Sequence, residues 1–176
     1  AGQRFTFTTG GPAIRHALPH EGSRLDENQV FMLALDAPAR TATIAANAYC
    51  EVEGINERIG VRVLEGDEKV TIVGQRNVLS DRFYRLFFKD TPEELVVRIR
   101  ERQDDSVPLA VVQCRRSLPN GARVRLVWGR GIASESGIPT SRDQALAFRV
   151  RDAFTAQFNC TRVNARAPCV PVLPMH

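Results

Sequence analysis

Apolar and charged side chains that alternate residue by residue constrain this chain more than any other feature. Val124, Leu126 and Trp128 fall on one side of an extended segment, and Arg123 and Arg125 on the other. Leu146, Phe148 and Val150 alternate with Arg149 and Arg151 in the same way, and Phe31, Leu33 and Leu35 share one face of 29–36. A period of two gives each segment one dry and one wet face, the pattern of a half-buried strand. Further strands are expected at Ala13–Leu18, Ala48–Val52, Ile59–Leu64, Leu109–Cys114 and Phe154–Asn159. Turn residues separate them: Gly10, Gly11 and Pro12; Pro19 to Gly22; Pro119, Asn120 and Gly121; and the small polar run Ser134 to Pro139. Many short strands with such punctuation predict an all-β fold, an antiparallel sandwich of two sheets with their dry faces together.

One stretch, about 77–105, breaks the period. Thr91 supplies a helix N-cap, Pro92 the first helical position and Glu94 the return bond of a capping box, with Leu95, Val96 and Ile99 on one helical face. A short, partly helical insertion is expected there. Within it, ahead of that helix, Phe83, Tyr84, Phe87 and Phe88 make up four of the twelve aromatic residues. Their concentration has two readings: they fasten the insertion to the sandwich, or they form a partner-binding patch.

A 43% apolar content suffices for a core, so disorder is not expected. No apolar run reaches the length of a membrane span, and the first residues lack the order of a signal peptide. The net charge is +4, with 22 arginines and only Lys69 and Lys89 as lysines. These cations are scattered among 20 acids rather than gathered in a tract, which points away from nucleic acid.

Cys50, Cys114, Cys160 and Cys169 include no C-x-x-C pair of the kind zinc and redox sites use. Disulfides are expected instead. Three pairings are open to four cysteines; Cys160 and Cys169 are near enough to staple a short loop, in which case Cys50 joins Cys114 across the domain. In the chain-entropy model the long loop contributes about 4 kcal/mol and the short one about 3 kcal/mol. Such bonds persist in an oxidising compartment, a periplasm or the cell exterior.

Catalytic and metal readings lack their parts. A serine nucleophile needs a histidine base, and the chain has only His16, His20 and His176, without a G-x-S-x-G elbow. His16 and His20 have the spacing of a zinc helix, but Pro19 lies between them. Residues 129–137 do not have the spacing of a phosphate loop. Asp26, Glu27, Asp104 and Asp105 offer no D-x-D-x-D-G calcium loop. No catalytic, cofactor-binding or metal-ligating residue is expected, and the chain reads as a non-enzyme.

The alternating residues Phe5 to Thr8, closed by Gly10, Gly11 and Pro12, read as the end of a preceding module over 1–10. Residues 11–152 form the complete unit with its insertion, and 153–176 a linker and the start of the next module. The order of three segments, Phe5–Pro12, then Leu25–Phe31, then Leu118–Ile132, resembles the N-terminal Ig-like modules of the large bacterial alpha-2-macroglobulin family. Phe154–Cys160 and Cys169–Met175 resemble the junction into that family's next module.

The resemblance implies an Ig-like sandwich acting as a structural module in a periplasmic protease trap, an endopeptidase inhibitor whose parent is often anchored to the inner membrane. Its partners would be neighbouring modules of the same chain and, through the parent, proteases; the segment itself would touch neither nucleic acid nor membrane. The family's Cys-x-Glu-Gln thioester has no match after any of the four cysteines. A bacterial surface adhesin, or a module binding protein or glycan, is the alternative.

Overall fold

The computed structural model describes residues 10–55, 57–75, 78–101, 107–155, 159–161 and 170–172. Residues 1–9, and with them the expected end of a preceding module, lie outside that set, as do Asp104 and Asp105.

The strands in chain order are β1 (Ile14–Leu18), β2 (Arg24–Leu25), β3 (Val30–Leu35), β4 (Ala48–Val52), β5 (Arg58–Val63), β6 (Leu109–Cys114), β7 (Arg123–Trp128), β8 (Gln144–Val150), β9 (Asn159–Thr161) and β10 (Val170–Val172). Eight of them make one sheet in the order β1-β3-β6-β5-β4-β7-β8-β2, and β9 pairs with β10 separately. The large sheet is antiparallel except at its end, where β2 runs parallel to β8, so it is mixed rather than purely antiparallel.

This sheet becomes a sandwich by curling at β5. Arg58, Ile59 and Gly60 pair with β4, whereas Val61, Arg62 and Val63 pair with β6. A strand that changes partners midway turns a corner, and the two halves of the sheet fold face to face. The dry faces meet there: Phe31, Leu33 and Leu35 from β3 and Ala110, Val112 and Cys114 from β6 pack with Cys50, Val52, Val124, Leu126, Trp128, Phe148 and Val150. The expected faces of β3, β7 and β8 point as their alternation requires, with Arg123, Arg125 and Arg149 exposed.

Opposite the corner, side chains close the sandwich. The Gln144 amide at the start of β8 donates to the Ile14 carbonyl at 2.8 Å and accepts from the Ile14 amide at 2.9 Å. One residue thereby satisfies both main-chain groups at the free edge of β1, where an unpaired edge would invite another strand.

The helices are α1 (Thr41–Asn47), α2 (Gly66–Gly74), α3 (Val78–Phe87) and α4 (Pro92–Glu101). The last three form a layer that begins at Gly66 rather than near Asn77. They cover the outer face of β1, β3 and β6 and build a second core of Val73, Phe83, Tyr84, Leu95 and Ile99 against Ala34, Leu109 and Val111. Sheet burial on both sides explains why β6 reads as an unbroken apolar run, Leu109 to Val112, rather than an alternating one. The capping box of α4 is formed as expected: the Thr91 amide donates to Glu94 Oε2 at 2.7 Å, and the Glu94 amide donates to Thr91 Oγ1 at 3.3 Å.

The strand expected at Phe154–Asn159 is not formed at its start. Residues 151–155 lie outside any strand, Phe154 is 94% exposed, and the strand present is β9, beginning at Asn159. Among the described residues no strand lies alongside Phe154 and Thr155, so apolar alternation there has nothing to bury.

Candidate functional site

Cys50 and Cys114 are joined by a disulfide across the inside of the corner, with Cα atoms 6.0 Å apart. Each pairs with a β5 residue on either side of the bend, Cys50 with Ile59 and Cys114 with Val61. The cross-link therefore ties together the two strands that flank β5. Both cysteines are buried, so the bond belongs to the core. The side chains of Cys160 and Cys169 lie outside the described residues, and so does any bond between them.

A cleft of about 670 Å³ opens over the outer face of β4, β7 and β8, with Glu51, Glu53, Ile55, Arg58, Arg125 and Ala147 among its lining. Glu51 stands directly opposite Arg125 in the β4–β7 ladder and forms an ion pair with it. One step along, Arg123 Nε is 3.6 Å from Glu53. Acid–base chemistry requires two groups whose environments drive their proton affinities apart. Here each carboxylate is matched with a guanidinium, on a surface where such pairs contribute about 0–1 kcal/mol each. The arrangement is a neutralised face. At its margin Arg116 Nη2 is 2.6 Å from Glu57, and the hydrogen bond and charge from Arg116 hold the Glu57 carboxyl below its ordinary range.

The four clustered aromatics are brought together but not as an exposed patch. Phe83 and Tyr84 are buried, Phe88 is partly buried, and Phe87 remains 38% exposed at the edge. Phe83 lies at ring-centroid distances of 5.4–6.0 Å from Tyr84, Phe87 and Phe88. The Tyr84 hydroxyl donates to Met32 Sδ of β3 at 3.0 Å. Burial, and secondarily the Asp81 carboxylate, push the Tyr84 phenol above its ordinary value. The cluster fastens α3 to the sandwich.

His16 and His20 sit on and just beyond β1, separated by the cis Leu18–Pro19 bond, and share no helix. His16 is more than a solvated strand residue: its ring stacks on Phe87, with centroids 4.6 Å apart. Asp26 pairs with Arg151 Nη1 at 2.9 Å. Among the described residues no three His, Cys, Asp or Glu side chains gather as a metal site.

By sequence, 129–137 is only a segment without phosphate-loop spacing, running into the turn residues Ser134 to Pro139. The structure gives it an organising residue, Thr140, whose buried hydroxyl donates to the Gly129 carbonyl at 2.9 Å and accepts from the Ile132 amide at 3.1 Å. Nothing in the local pattern singled out Thr140, because its partners are 8 and 11 residues away.

No family model matches the chain, and no curated protein matches it. Similar solved structures include three of surface layer protein SbsC. Domains 1–6 are 13% identical with a TM-score of 0.44, covering 85% of this chain and 15% of that one. The 31–844 segment of the S-layer protein is 12% identical with a TM-score of 0.43, covering 91% and 19%. The N-terminal part of this bacterial protein is 13% identical with a TM-score of 0.44, covering 85% and 26%. The chain thus spans between 15% and 26% of their lengths, and likeness at this level extends to neither family nor function.

Proposed function

We propose that this chain is a non-catalytic structural module of an exported multidomain protein, and that its parent is a periplasmic protease trap of the alpha-2-macroglobulin kind. The observation that carries the first part is the buried Cys50–Cys114 bond at the corner of the sandwich. A disulfide used as a core strut suits an oxidising compartment, since reducing pools act against such bonds in the cytosol. The deployment of polar groups supports the same reading. Gln144, Thr140 and the Trp128 indole close the frame, while Glu51 and Glu53 are matched with arginines. A rigid, closed unit of this type positions its neighbours. The second part rests on the order of sequence segments that resembles the macroglobulin modules.

The test uses the full-length parent and trypsin. A trap removes trypsin's activity on casein while leaving its activity on a small chromogenic amide, and the isolated module changes neither. Unimpaired casein digestion in the presence of excess parent would reject the trap, and loss of activity on both substrates would replace it with an active-site inhibitor.

The adhesin or binding-module reading has one observation in its favour: the helical layer leaves Leu86 and Val97 exposed. Specific binding of the isolated chain to peptidoglycan or a cell-surface glycan, lost on Leu86→Gln, would favour it over the structural role.

A further inference from the structure

Six arginines of the sandwich pair with acids: Arg62 with Glu68, Arg116 with Glu57, Arg123 with Glu53, Arg125 with Glu51, Arg149 with Asp152 and Arg151 with Asp26. In the helical layer Arg98 pairs with Asp90, but the outer faces of α3 and α4 separate their charges by sign. On α3 the buried face is taken by Phe83 and Tyr84, and the opposite face carries Arg82, Arg85 and Leu86, with Lys89 just past the helix end. Leu86 is 63% exposed, and no described ion pair engages Arg82, Arg85 or Lys89. On α4 the buried face is Leu95 and Ile99, and the opposite face carries Val97, 49% exposed, between Glu94 and Glu101, with Arg100 at its margin.

These two faces are complementary. One sets an apolar side chain among cations, and the other sets an apolar side chain among carboxylates three and four residues away along the same face. The helices are consecutive, joined by the short turn 88–91, and both bury their inner sides in the same core, so their outer faces look the same way. They cannot satisfy each other, because each points outward.

We propose that the outer faces of α3 and α4 together form a docking surface for a second copy of this chain. A twofold rotation lays α3 of one copy on α4 of the other and, by the same operation, α4 on α3, so every contact is made twice. Arg82 and Arg85 meet Glu94 and Glu101 of the second copy while Leu86 and Val97 cover each other. Ten-residue helices are about 15 Å long, so the interface is small, and the association is weak and sensitive to salt.

Sedimentation equilibrium of the whole chain tests this at about 0.01 M and about 1 M salt, where the screening lengths are about 30 Å and 3 Å. The expected result is a monomer–dimer equilibrium at low salt that weakens at least tenfold at high salt. Arg82→Glu with Arg85→Glu abolishes it, as does Glu94→Gln with Glu101→Arg, the glutamine keeping the helix cap. Mixing these two variants restores a dimer, because the acidic α3 of one then faces the basic α4 of the other. Leu86→Gln, at an exposed position with no folding role, weakens the equilibrium on its own. A chain that stays monomeric at low salt overturns the proposal. So does a dimer indifferent to these substitutions, a mixture that fails to associate, or higher oligomers, since a closed twofold contact stops at two.

Discussion

The indole Nε1 of Trp128 donates a hydrogen bond to the Pro12 carbonyl at 2.8 Å, in the buried end of the sandwich. Trp128 ends β7, and Pro12 precedes β1, so this bond pins the incoming chain onto the opposite layer. Nearby, the Gly11 amide donates to the Pro139 carbonyl at 3.1 Å, which fixes the same segment to the loop before β8. Trp128→Phe keeps an aromatic ring but removes the donor and leaves a buried carbonyl unsatisfied, a change that costs about 1–3 kcal/mol. Urea unfolding is expected to show that loss at an unchanged m-value. A loss below about 0.5 kcal/mol would mean that water replaces the indole and that the segment is not buried.

Reduction of the Cys50–Cys114 bond releases a cross-link between residues 64 apart in sequence. The chain-entropy cost of closing that loop is about 4 kcal/mol. Cys50→Ala with Cys114→Ala is therefore expected to lower stability by about 2–5 kcal/mol. The native protein should yield no thiol from Cys50 or Cys114 until it is unfolded and reduced. Urea unfolding of the double variant measures the first and mass mapping of alkylated peptides the second, and a native, unreduced protein that alkylates at Cys50 would remove the cross-link from the corner.

Strand positions were legible because sandwich strands keep one wet face: the arginines of β7 and β8 mark their outer side without any knowledge of the partner strands. The helix over 92–101 was legible from Thr91, Pro92 and Glu94, whose bonds are local. What escaped was non-local. α1 and α2 have no side-chain cap, and α1 buries only Ile44, so neither announces itself by punctuation or by an apolar stripe. Parallel pairing of Arg24 and Leu25 with β8 is two residues long and leaves no period. The helical cover over β6 was signalled only by the break in alternation at Leu109 to Val112, which a half-wet sandwich strand does not show. For the site, the cysteines and the aromatic cluster were visible, but their roles depended on burial. Phe83 and Tyr84 lie inside, and the exposed features of α3 are Arg82, Arg85 and Leu86.

Gly129 and Gly60 make opposite predictions. A Cβ on Gly129 would stand 2.2 Å from the Asn47 carbonyl oxygen, a backbone atom that cannot move without shifting α1. Gly129→Ala is expected to destabilise by several kcal/mol, at the extreme of single-substitution effects. At the β5 corner a Cβ on Gly60 would meet only the Arg115 side chain, at 3.8 Å, an ordinary contact. Gly60→Ala is expected to stay within about 1 kcal/mol of the parent, because the bend requires the exchange of strand partners and not the absence of a side chain. Thermal melts of the two variants distinguish these cases, and equal losses would show that the corner itself depends on glycine.

Glu94 gives the helical layer a dependence on pH. Its carboxylate accepts the Thr91 amide, and that bond, ahead of the Thr91 hydroxyl, holds its pKa below the ordinary 4.5. A carboxyl whose folded value is depressed binds its proton more weakly in the folded chain than in the unfolded one. Its stabilising contribution is therefore full above the unfolded value and is lost as pH falls through the folded one. Glu57, held low by Arg116, works in the same direction. Glu94→Gln keeps an acceptor for the Thr91 amide but carries no titrating proton. The expected outcome is that the variant's stability falls less steeply than the parent's as pH drops from about 5 to about 3. Thr91→Ala, which removes the hydroxyl of the cap, should cost about 1 kcal/mol at neutral pH. Denaturant titrations at a series of pH values measure both. Parallel stability profiles for parent and Glu94→Gln would show that the cap in solution does not discriminate the ionised carboxyl from its neutral form.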